Sequence, residues 1–127
     1  MTAHVIQRDL DSTGAPATLS SAMVHGLLRQ ELGFEGVVIS DGLGMGALQA
    51  FSLEEIVERS VVAGHDLLLF SQNAAADGVS PPVYAEIPAL PVRVKHAVCR
   101  GLNSGMLRPD ALHASLRRVA ALKQYLH

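Results

Sequence analysis

Apolar residues early in the chain recur at three- and four-residue steps: Leu19, Met23, Leu27, Leu28 and Leu32. That spacing predicts an amphipathic helix from about Ser20 to Leu32, since residues so spaced share one helical face. Ser20 and Ser21 are natural N-caps, and Gly33 can adopt the left-handed conformation that ends a helix. The pattern then changes. Val37-Val38-Ile39 is a short unbroken apolar run ending in Ser40-Asp41, which predicts a strand buried on both faces.

The same order returns. Leu53, Ile56, Val57, Ser60 and Val61 share a helical face, Gly64 stops it, and Leu67-Leu68-Leu69-Phe70 leads into Ser71-Gln72. Gly33 and Gly64 are 31 residues apart, as are Ser40 and Ser71. One offset shared by two features, near the roughly 30 residues of a βαβ unit, predicts consecutive parallel strands joined by helical crossovers.

From Gln72 to Pro91 four prolines (Pro81, Pro82, Pro88 and Pro91) predict a surface loop. A helix is expected from about Val92 to Leu102, stopping between Asn103 and Gly105. A last helix begins near Pro109, with Leu112, Leu116, Val119, Ala120 and Leu122 turned inward. Arg117, Arg118 and Lys123 on it read as a solvated basic face that complements the helix dipole. Met1 to Val5 reads as the tail of a third strand that begins before this sequence. A complete (β/α)8 barrel takes about 250 residues, so the 127 residues read as half of such a fold or as a small open α/β domain.

Composition narrows the classes. With 49% hydrophobic and 17% charged residues, the chain suits one globular domain rather than a disordered or fibrous protein. Ten basic against twelve acidic residues give a net charge of −2, without the basic stripe that nucleic acid or an anionic membrane would require. No apolar run approaches the roughly 18 residues of a membrane helix, and no secretory signal is visible at Met1, so a cytoplasmic location is the expectation. Cys99 is the one cysteine, which excludes an intramolecular disulfide; it is expected to fill core. The six histidines show no zinc-ligand spacing, so no metal is expected.

In parallel α/β folds chemistry gathers at the carboxyl ends of strands. Asp41 and Gln72 occupy equivalent ends. Asp41, followed by Gly42 and Gly44, either presents an ionised carboxylate to a ligand or caps its own loop. His4 ends the first segment and could face the same mouth, either contacting a ligand or bonding to the protein. Gly42-Leu43-Gly44-Met45-Gly46-Ala47 also satisfies the dinucleotide turn G-x-G-x-x-[GA], but Asp41 would repel a pyrophosphate there. No cofactor is expected.

Taken in order, MTAHV (Met1 to Val5), PATLS (Pro16 to Ser20), GLLRQELGFEGVVISD (Gly26 to Asp41), LGMGA (Leu43 to Ala47), AGHDLLL (Ala63 to Leu69) and SLRRVAALK (Ser115 to Lys123) resemble glycoside hydrolase family 3 of the β-N-acetylhexosaminidase type. The resemblance covers essentially the whole chain and places it in the C-terminal part of the barrel domain. It implies a partial (β/α)8 TIM barrel, about strands six to eight with their helices and a C-terminal helix, forming a single domain over residues 1–127.

That resemblance implies a retaining glycosidase acting on β-linked N-acetylglucosamine, as in recycling of cell-wall fragments. Asp41 matches the family's nucleophile, and Met45 matches a residue that would line the sugar pocket, with plain packing as its alternative role; His4 is the further candidate for substrate contact. Two departures stand out. The family's second acidic residue is Gly42 here, and no K-H-F-P-G-H-G segment or acid-base loop is present. Since general acid-base help is worth about 10²- to 10⁴-fold, this polypeptide alone is expected to be nearly inactive. Alternatives are a non-catalytic half-barrel that pairs through its open sheet edge with another copy or an N-terminal half, and a small nucleotide-binding module.

Overall fold

The stop signals at Gly33 and Gly64 organise the molecule. In the computed structural model, which describes residues 1–71 and 87–125, both glycines have positive φ, 65° and 113°. The chain reverses after each helix as the sequence predicts, because only glycine adopts this conformation without a Cβ penalty. Gly64 closes α1 (Leu53–Ala63), donating its N–H toward Ser60 and Val61. At the other end Ser52 and Glu55 form a reciprocal capping box, a signal present in the sequence as S-x-x-E.

The predicted first helix spans Ala22–Glu31 but is wound as a π-helix. Ser20 caps it, its Oγ accepting from the Met23 N–H at 3.2 Å. Of the apolar residues expected on its inner face, Leu32 is 67% exposed and Met23, Leu27 and Leu28 are only partly covered. The buried position of the helix is instead Val24, 2% exposed, packed with Val38, Ala63 and Leu28.

Two further helices follow: α2 (Leu90–Asn103) and α3 (Pro109–Gln124). Pro91 sits in the first turn of α2, where its missing N–H costs nothing, so the expected proline loop gives way to helix by Leu90. Residues 72–86, including Gln72, Pro81 and Pro82, lie outside the described residues. α2 packs on α1 through Leu53, Val57 and Ala97. Gly101 presses against Leu107, so closely that a Cβ there would overlap the Leu107 side chain.

α3 departs from expectation. None of its residues is buried, and Leu116 and Leu122 are 58% and 41% exposed. Arg118, expected on the solvated face, instead grips Asp66. Cys99 is exposed rather than core filler, because the buried face of α2 runs through Ala97 and Gly101.

Where strands were expected, the described residues form none, only segments in parallel alignment. Among the described residues, pairing amounts to one parallel bridge, Ile39 with Leu67. Asp66 N–H donates to Val38 O at 2.8 Å and Ser40 N–H to Leu67 O at 3.0 Å. The next ladder bond is lost because the Ser40 hydroxyl, fully buried, accepts the Leu69 N–H at 2.9 Å. On the far side Thr2 N–H donates to Ile39 O at 3.0 Å, so the segments order as 1–5, 37–41 and 66–71. Val37, Ile39, Leu67 and Leu68 are only partly covered and Leu69 is exposed, unlike strands buried on both faces.

Candidate active site

Asp41 follows directly on the paired segment, at its carboxyl end. The turn after it is fixed from both flanks: Ser40 N–H reaches Leu67 O, and Leu43 N–H reaches Leu69 O at 2.9 Å. Leu43 is 2% exposed and locked into a cluster with Leu19, Leu48 and Ile56. Asp41 itself is half-buried, and its Oδ1 accepts the Gly42 N–H at 2.8 Å. That is its one hydrogen bond among the described residues, and no cation is paired with it among them. The carboxylate is therefore oriented by the backbone but not consumed by a structural ion pair.

Gly42 is buried, and a Cβ built on it would overlap the Ser71 hydroxyl. The same Cβ would lie 3.5 Å from Met45 Cγ and 3.7 Å from its Sδ. Met45 thus covers the Gly42 backbone while remaining 38% exposed, beside Asp41. Its N–H closes the turn onto Gly42 O at 3.1 Å.

His4 reaches the same peptide. Its Nε2 lies 3.0 Å from Gly42 O and its Nδ1 2.9 Å from Thr18 Oγ1. Since a carbonyl only accepts, Nε2 carries a proton, while Nδ1 lies against the Thr18 hydroxyl, whose single proton also has Ala3 O within reach at 3.2 Å. Both ring nitrogens are thereby engaged with protein.

A second histidine stands behind this one, unrecognised from sequence. His65, 3% exposed, places Nδ1 3.0 Å from Ser60 O and Nε2 2.9 Å from Thr2 Oγ1. The Ser60 carbonyl forces the proton onto Nδ1, the opposite tautomer from His4. Burial, partly offset by the Ser60 carbonyl and the Asp66 charge, pushes its pKa below the ordinary histidine value, so the ring is held neutral.

The glycine turn does not lead into a dinucleotide-type helix. It enters a single 3-10 turn, Gly46–Leu48, and α1 begins only at Leu53. The Gly42 N–H that would face a phosphate points at Asp41 instead. Among the described residues no group of three or more metal-ligating side chains occurs, and no helix is long and apolar enough to cross a membrane.

A cavity of about 560 Å3 opens at the amino-terminal end of the paired segments, away from Asp41. Its wall includes Arg29 and Arg118, both committed to Asp66. Arg29 also donates to the carbonyls of Phe34, Gly36 and Gly64. These two cations hold the fold together rather than waiting for an anion.

Residues 1–122 match the family described as glycosyl hydrolase family 3 N terminal domain. A beta-hexosaminidase of Nitrosospira multiformis is 38% identical over 114 residues, 88% of this chain and 31% of that protein. One from Thiobacillus denitrificans is 36% identical over 124 residues, 96% of this chain and 34% of that protein. The chain thus spans about a third of the length of the curated relatives it matches. Among solved structures, a family 3 beta-N-acetylglucosaminidase from a Paenibacillus species superposes with a TM-score of 0.78 at 34% identity, covering 98% of this chain and 21% of that one. The beta-N-acetylglucosaminidase of Thermotoga maritima gives 0.73 at 32% identity, covering 95% and 24%. The matched family domain is the N-terminal one, whereas the motif order had placed the chain in the C-terminal part of the barrel domain; the neighbours share its α/β fold. The chain belongs to glycosyl hydrolase family 3.

Proposed function

We propose that residues 1–127 form one unit, the segment of a family 3 (β/α)8 barrel from about its sixth strand onward, and that Asp41 is the nucleophile of a retaining β-N-acetylglucosaminidase. The observation that carries this reading is the half-exposed Asp41 carboxylate, free of any cation among the described residues and aimed by the Gly42 N–H at the carboxyl end of parallel segments. Relatives with beta-hexosaminidase names support the substrate class.

In the first step an Asp41 oxygen attacks the anomeric carbon while the bond to the leaving oxygen breaks, giving a covalent glycosyl-enzyme. The leaving oxygen takes a proton from a general acid. In the second step water, deprotonated by the same group, attacks the anomeric carbon and releases Asp41. No acid-base loop of the family's type is found in the sequence given, so that group comes from residues outside these 127. Without it the chain turns over poorly. Met45, which covers Gly42 beside Asp41, borders the sugar.

The test is hydrolysis of a chromogenic β-N-acetylglucosaminide by this chain joined to the upstream portion of a family 3 relative. Asp41→Asn should lower the rate at least about a thousandfold. Hydrolysis unaffected by that change would overturn the assignment.

A second reading draws on exposed apolar side chains beside the paired segments: Met1 at 80%, Val5 at 59% and Ile6 at 51%. In it the half-barrel pairs with another copy or an N-terminal half. A monomer in sedimentation at micromolar concentration would remove it.

A further inference from the structure

We propose that His4 and Thr18 are positioning residues for the Asp41 turn, acting through the Gly42 peptide rather than through substrate. The inference rests on Asp41 being the reacting group but makes a separate structural claim.

The peptide between Gly42 and Leu43 is held at both of its polar atoms. Its N–H donates to Leu69 O at 2.9 Å, and its carbonyl receives His4 Nε2–H at 3.0 Å and Met45 N–H at 3.1 Å. The neighbouring peptide, between Asp41 and Gly42, is the one whose N–H orients the Asp41 carboxylate. Glycine offers no side chain to restrict the two dihedrals that join these peptides. Restraint at residue 42 must therefore come from outside, and His4 supplies it from another segment, 38 residues away in sequence.

His4 can donate to Gly42 O only if Nε2 carries a proton, which that carbonyl requires, and Thr18 holds the ring from its other nitrogen. Thr18 is fully buried, and its hydroxyl reaches His4 Nδ1 at 2.9 Å, with Ala3 O at 3.2 Å and Thr2 Oγ1 at 3.3 Å. Thr2 is in turn held by His65, itself fixed on Ser60 O. Two histidines and two threonines thus connect the end of α1 with the Asp41 turn. A valine at position 18 keeps the shape of threonine but withdraws the hydroxyl, whereas serine keeps the hydroxyl.

Nitrogen-15 and carbon-13 NMR of the 127-residue chain decides the structural claim. His4 should show the Nε2–H tautomer, and His65 the Nδ1–H tautomer. Thr18→Val should shift the Gly42 amide and Asp41 carboxyl resonances, and Thr18→Ser should leave them near their original positions. A His4 ring that averages both tautomers, or Asp41 signals indifferent to Thr18→Val while the variant stays folded, overturns the proposal.

In the joined enzyme, Thr18→Val and His4→Phe should lower kcat by about ten- to a hundredfold, as small misplacements of a reacting group do. KM should stay within about twofold and Thr18→Ser should restore kcat. Loss of affinity with kcat unchanged would make His4 a substrate contact and overturn the proposal. Activity indifferent to Asp41→Asn would instead remove the nucleophile reading and leave the NMR result standing.

Discussion

Arg118 of α3 and Asp66, which opens the third paired segment, are joined by hydrogen bonds from Nη2 to Oδ1 at 2.7 Å and from Nε to Oδ1 at 3.1 Å. Asp66 is the hub of the amino-terminal end of the sheet. Its side chain, 0% exposed, also takes Arg29 Nη2 at 2.7 Å and the Val38 N–H at 2.8 Å on Oδ2. One carboxylate thereby joins the π-helix, the Val37–Ile39 segment and α3.

Removing that hub should be costly. Asp66→Asn leaves two guanidinium groups without their counter-charge, a loss of about 3–5 kcal/mol in buried pairs. Arg118→Met should cost less, since Arg29 still neutralises Asp66, and should chiefly loosen α3. Urea unfolding measures the first, and hydrogen exchange along α3 the second. Equal effects on all helices from Arg118→Met would refute the local role.

The same site predicts acid sensitivity. Burial alone would raise the Asp66 carboxyl, but bonds from Arg118, the Val38 amide and Ser115 outweigh it and leave its pKa below the ordinary value. The folded state therefore binds this proton less readily than the unfolded chain. Its stabilisation is complete above the unfolded pKa of about 3.9 and is lost as pH falls through the lower folded value. Thermal melts should show that decline in the native chain and a flatter one in Asp66→Asn.

His65 predicts a second decline at milder pH. Its folded pKa is depressed, chiefly by burial, so below about 6.5 the unfolded chain takes up a proton that the folded chain resists. Stability should be full above that pH and fall as pH drops toward the folded value. His65→Gln should flatten the fall in melting temperature below about pH 6.5; an unaltered slope would assign the decline elsewhere.

Gly42 and Ser71 predict a coupled pair. A methyl group at position 42 would overlap the Ser71 hydroxyl. Gly42→Ala should destabilise by about 1–3 kcal/mol, as overpacking does. Adding Ser71→Ala should recover part of the loss, and a double-mutant cycle in urea reads the coupling. Simple additivity would show that the two side chains do not compete for the same space.

The sequence by itself determined where the chain turns and which segments are helical. Gly33 and Gly64 stop helices, Pro109 starts one, and the 31-residue offset places parallel segments side by side, because these depend on backbone sterics and local apolar spacing. It also placed Asp41 at the carboxyl end of such a segment, since that position follows from order along the chain. Only the tertiary structure decided which partners polar side chains find. Arg118 read as a solvated cation until α3 was laid against Asp66, and nothing near His4 in sequence revealed Thr18 and Gly42, 14 and 38 residues away. The Ser40 hydroxyl likewise ended a strand ladder that apolar patterning had extended to Phe70. Periodicity records which face of an element is apolar, whereas hydrogen bonds between distant residues depend on how those faces come together in space.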